Sequence, residues 1–82
     1  MKESSLHPAG TLIRPHINSF LYQREDDMFL MLIGEGDFGM WDEKDVAVTL
    51  GHESHDGKFF DILLGGRILW VRTDRPYHRA SQ

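Results

Sequence analysis

Cysteine is absent from all 82 residues, so neither disulfides nor a cysteine-ligated zinc or iron–sulfur centre can hold this chain together. That absence suits a reducing compartment. No run approaches the ~18 apolar residues of a membrane span. The opening Met1-Lys2-Glu3-Ser4-Ser5-Leu6-His7-Pro8 lacks the apolar centre of a secretory signal. The expected location is therefore the cytoplasm, with no membrane contact. Helical periodicity is missing as well. No stretch of ten or more residues carries an apolar stripe at helical spacing, although one turn around Asp42 to Asp45 is allowed. There is no internal repeat.

What is present is ordinary for a globular protein: 40% hydrophobic and 27% charged residues. A chain this short holds one core and buries only ~60% of its unfolded surface. The net charge of −4 hides an asymmetry: residues 1–22 carry +1, residues 23–61 carry −8, and residues 62–82 carry +3. An acidic middle disfavours general nucleic-acid binding, whereas the arginine-rich end permits a local phosphate or acidic-protein contact.

The clearest local signal is Phe59 to Thr73, two apolar runs around Gly65-Gly66. A two-residue glycine link predicts a hairpin, because both link positions need positive φ. That register sets Asp61 opposite Trp70 and Phe60 opposite Val71, with Phe60, Ile62, Leu64, Leu69 and Val71 on a core face. Phe59, Leu63, Ile68 and Trp70 share the other face with Asp61 and Arg72, which are diagonal neighbours close enough to pair. Upstream, Gly10 to Pro15 reads as a first strand and Asn18 to Gln23 as a second. Met28 to Ile33, apolar on both faces, reads as a central strand covered on two sides. Val46 to Leu50 reads as another strand, and Asp26/Asp27 and Asp42/Glu43 fall in charged turns. Residues 1–9 read as a flexible leader, 10–75 as one all-β barrel of five or six short strands, and 76–82 as a flexible tail.

Chemistry-bearing motifs are sparse. Gly34-Glu35-Gly36-Asp37-Phe38-Gly39 matches a dinucleotide fingerprint, but no helix follows and its acids would face a diphosphate. It reads as a connecting loop. His52, His55 and Asp56 share a loop and form the best metal candidate, yet the spacing fits no closed zinc pattern. A metal-dependent enzyme at that loop is thus an alternative reading. No serine stands in a nucleophile context, and no base, nucleophile and orienting group can be named together. The aromatic set Phe38, Trp41, Phe59 and Trp70 offers more, since tryptophans at the edge of a small barrel serve as binding anchors. The candidate protein-binding residues are Trp70, Trp41, Asp61, Arg72 and Phe59.

Gly10-Thr11-Leu12-Ile13-Arg14-Pro15 and Phe60-Asp61-Ile62-Leu63-Leu64-Gly65-Gly66-Arg67-Ile68-Leu69-Trp70-Val71-Arg72-Thr73-Asp74 together resemble small SH3-like barrel proteins, particularly short ones encoded by tailed phages. The likeness covers roughly residues 10–23 and 58–75. It implies a non-catalytic module that binds protein or peptide, such as a virion accessory or host-takeover factor, and it transfers no catalytic residue. The expectation is a cofactor-free binding or regulatory module with a protein partner, and a homodimer through its surplus apolar surface. A barrel contacting nucleic acid through Arg67, Arg72, Arg75 and Arg79 is the other reading.

Overall fold

The computed structural model describes residues 2–3, 7–26, 28–32 and 40–80. Ten strands appear there: β1 (Lys2–Glu3), β2 (Leu12–Pro15), β3 (Ser19–Phe20), β4 (Tyr22–Glu25), β5 (Met28–Met31), β6 (Met40–Trp41), β7 (Ala47–Glu53), β8 (Phe59–Leu64), β9 (Arg67–Arg72) and β10 (Tyr77–Arg79). Among the described residues there is no helix, hence none long and apolar enough to cross a membrane. The fold is all-β. One antiparallel sheet in the order β10-β2-β7-β8-β9-β4-β5, with β1 also on β7, curls into a half-barrel, and β3 and β6 form a separate pair.

Strands β8 and β9 pair from Phe59↔Arg72 to Leu64↔Arg67. Their link residues Gly65 and Gly66 have φ of 60° and 78°. Phe60, Ile62, Leu69 and Val71 are buried on the concave side, where they join Ile13, Leu21, Trp41, Ala47 and Leu64 in a single core.

Strand β7 is the branch point. Its register on β8 slips between Thr49↔Ile62 and Glu53↔Phe60, a bulge that bends the strand. Before the bulge β7 pairs with β2, and beyond it with β1. Gly51 occupies the bulge at φ 88°, and a Cβ there would lie 2.8 Å from the Ala9 Cβ and 3.0 Å from the Ala9 nitrogen. Gly66, at φ 78°, has nothing within 4 Å of such a Cβ. The two positions separate strain from clash. Gly66→Ala should cost ~1 kcal/mol, from left-handed backbone alone. Gly51→Ala should cost ~2 kcal/mol or more, because residues 8–11 must also shift. Urea denaturation of both variants checks this, and equal losses would remove the role of the Ala9 contact.

Three expectations require correction. The described residues of the leader are not free: Lys2 and Glu3 pair with Glu53 and His52 on the backbone. The Thr49 hydroxyl donates to the Pro8 carbonyl and accepts from the Thr11 N–H, and Gly10 N–H donates to Thr49 O at 2.8 Å. The His7 ring stacks on Phe60 at 4.0 Å, where desolvation holds its pKa below the ordinary value. The tail likewise adds a strand. Pro76 donates nothing, but its carbonyl accepts the His16 N–H at 3.0 Å, and β10 then pairs with β2 from Tyr77↔Pro15 to Arg79↔Ile13. Finally, among the described residues β5 is an edge strand and not a central one.

Candidate binding face

The convex side of β8, β9, β4 and β5 is built by register. Trp70 lies opposite Asp61 on β8 and opposite Tyr22 on β4, while Arg24 lies opposite Phe29 on β5. Antiparallel partners share a face, so Phe59, Trp70, Arg72, Tyr22, Arg24 and Phe29 converge. Their rings lock together. Phe29 stacks on Phe59 at 4.2 Å and 9°, and both Tyr22 on Phe59 and Phe29 on Trp70 meet edge-on at 4.9 and 5.2 Å. The Arg24 guanidinium stands 5.7 Å from the Trp70 ring centre and 5.9 Å from that of Phe29, and Arg72 stands 5.9 Å from Phe59. Such cation–π contacts contribute ~0.5–1 kcal/mol where partly exposed.

Of the residues singled out in the sequence, Phe59, Trp70 and Arg72 meet here, but Trp70 is only 5% exposed and closes the face instead of standing proud of it. Trp41 is elsewhere. It is fully buried in the core, stacks on Tyr77 at 5.4 Å, and its indole N–H donates to the Asp45 carbonyl at 2.9 Å. The Asp61–Arg72 pair that their diagonal positions allow does not form. Asp61 is buried and accepts the His52 N–H at 2.9 Å, with His52 Nδ1 also 2.9 Å from its second oxygen. The bulge explains this, since a bulged amide loses its ladder partner and the carboxylate takes its place. Arg72 instead forms a two-pronged pair with Asp74, at 2.9 and 2.8 Å. That bond holds the Asp74 carboxyl below its usual range and the guanidinium above its own.

Beside the aromatic cluster lies an open cleft of about 420 Å³ lined by Arg24, Phe29, Ser54, His55 and Asp56. Its floor is the loop after β7, tied by Ser54 Oγ donating to Asp56 at 2.7 Å and by Lys58 N–H donating to the same carboxylate at 3.0 Å. The hydroxyl bond lowers the Asp56 pKa. Asp56 thus closes its own loop while His52 serves Asp61, so the trio of the alternative metal reading does not converge. No group of three metal-ligating side chains occurs among the described residues. The glycine motif at 34–39, with Phe38, lies outside the described residues.

Next to the cluster on the same face, Leu63 and Ile68 stand directly opposite each other and remain 39% and 64% exposed. The arginines do not gather into one patch. Arg67 and Arg72 sit at opposite ends of β9, Arg75 lies in the following turn, and Arg79 is on β10 at the far edge of the sheet. Sequence reasoning missed Tyr22, Arg24 and Phe29, whose register against β9 depends on a long-range pairing. Compared with protein-family models, curated proteins and solved structures, the chain matches none.

Proposed function

We propose that this chain is a small cofactor-free, non-enzymatic binding module, an SH3-like barrel left open on one side, that docks a partner protein on its convex face. The carrying observation is the exposed cross-strand pair Leu63–Ile68, set against an aromatic cluster already rigid through mutual stacking. An apolar centre beside rigid rings, with Arg24, His55 and Asp56 at its polar rim, has the composition of a contact surface. The partner that fits presents apolar side chains to Leu63 and Ile68. The likeness of residues 10–23 and 58–75 to small barrel proteins of tailed phages supports an accessory or host-takeover role in the host cytoplasm.

Ile68→Glu tests this reading. The side chain is exposed, so stability should change by no more than ~0.5 kcal/mol. Capture of a partner from host extract should fall at least ~10-fold, equivalent to ~1.4 kcal/mol. A partner held equally by wild type and Ile68→Glu overturns the assignment. So does a wild type that retains no protein but shifts an oligonucleotide in a salt-dependent manner.

A further inference from the structure

An edge strand normally carries a charge, a proline or a bulge that stops another chain from pairing with it. Strand β5 has none of these. Met28, Phe29, Leu30, Met31 and the following Leu32 are all uncharged and apolar, and β5 ends the sheet among the described residues. Met28, Leu30 and Met31 are 64%, 43% and 40% exposed, so apolar side chains are uncovered on both faces of the strand.

The backbone shows which groups the open edge presents. Leu32 N–H donates to Leu21 O at 2.9 Å, in the same register as Leu30↔Gln23 and Met28↔Glu25. Hydrogen-bonded and non-hydrogen-bonded pairs alternate along an antiparallel ladder. Met28, Leu30 and Leu32 therefore direct their backbone groups at β4, and Phe29 and Met31 direct theirs outward.

We infer that β5 is a self-pairing edge, on which a second copy of this chain adds its own β5 antiparallel about a two-fold axis at Leu30. In that register Phe29 of each copy lies opposite Met31 of the other. Each such pair exchanges two N–H···O=C bonds, so both outward donors and both outward acceptors of each strand are satisfied. The two Leu30 side chains meet at the axis, and Met28 of one copy meets Leu32 of the other. Every directly opposed pair is apolar and no like charges face one another, which identifies a second copy as the occupant. A two-fold interface must be self-complementary in this way. Leu32 already packs against the core, so the Leu30 contact extends that core across the axis. The apolar character of both β5 faces, which in sequence marks a central strand, is accounted for once β5 becomes central in a paired sheet. With so few residues in the ladder, the association belongs to the small-interface, weak-affinity class.

Light scattering across ~1–100 µM is the first measurement, since assembly follows mass action. The expected result is a mass rising from the 9.5 kDa of one chain towards twice that value. Amide exchange locates the contact. Phe29 and Met31 N–H should gain protection with concentration, whereas Leu30 and Leu32 N–H should be protected throughout. Leu30→Lys sets two cations at the axis and should abolish the mass increase. Met31→Pro removes only an outward N–H, leaves the β4 ladder whole, and should do the same. Far-ultraviolet dichroism confirms that each variant is folded, and either folded variant suffices. Ile68→Glu lies off this edge and should dimerise as the wild type does, so failure of the convex-face reading and failure of this one are distinguishable. A wild-type mass of one chain throughout overturns the inference. So does a dimer that persists in the folded Leu30→Lys or Met31→Pro protein.

Discussion

Trp41→Ala is expected to cost ~3–5 kcal/mol, the range for deleting a large aromatic from a core. Whole domains are stable by ~0.05–0.15 kcal/mol per residue, which for 82 residues is ~4–12 kcal/mol, and at the low end, where so small a chain belongs, the loss approaches the total. The indole is fully buried among Leu21, Phe60, Ile62 and Leu69. It arrives there from β6, which is only two residues long and pairs with nothing but Ser19 and Phe20 of β3 among the described residues. Replacement by alanine removes the packed ring, its stacking on Tyr77, and the N–H bond that ties the turn at Asp45 to the core. Chemical denaturation followed by dichroism should show a chain largely unfolded without denaturant. Trp41→Phe keeps most of the ring area and loses only the bond to the carbonyl of Asp45, an exposed residue, so it should remain folded and lose ~1–2 kcal/mol. A Trp41→Ala protein with near-wild-type stability would mean that β3 and β6 are not part of the cooperative core.

The difference between Trp41 and the β8–β9 pair shows what local sequence can express. Alternation around Gly65-Gly66 determines which side chains share a face, because the turn and the register lie within fourteen consecutive residues. Core residues Phe60, Ile62, Leu64, Leu69 and Val71 are legible for that reason. Trp41 sits between a glycine-rich stretch and Asp42-Glu43-Lys44-Asp45, where no period exists and composition suggests surface. Its burial follows from a pairing with β3 some twenty residues away. Asp61 is another case. Diagonal proximity to Arg72 allows an ion pair, but the bulge at Gly51 creates an amide that binds the carboxylate first, and Asp74 lies two residues from Arg72 in a turn. The one local cue to that bulge is Gly51, a glycine inside β7 that in sequence reads equally as the end of a strand. The convex aromatic cluster was half legible: Phe59 and Trp70 belong to β8 and β9, whereas Tyr22, Arg24 and Phe29 join them only through the β4–β9 pairing.

Trp70→Ala is expected to destabilise by a similar ~3–5 kcal/mol, which makes this tryptophan a support of the convex face and not its contact residue. Its ring is nearly as buried as a core side chain although it points away from the core. What covers it is specific: Phe29 edge-on at 5.2 Å and the Arg24 guanidinium at 5.7 Å. Deleting the indole uncovers Phe29 and takes away the surface on which Arg24 lies, so β4 and β5 lose their main side-chain hold on β9. Loss of protection should therefore appear first in the amides of β4 and β5, in hydrogen exchange on a milder variant such as Trp70→Leu. A double-mutant cycle of Trp70→Leu with Phe29→Leu should return a coupling of ~0.5–1.5 kcal/mol, the value for a ring pair in edge-on contact. A Trp70→Ala protein that stays fully folded but no longer binds would reverse the assignment. It would make Trp70 the anchor and leave Leu63 and Ile68 as its rim.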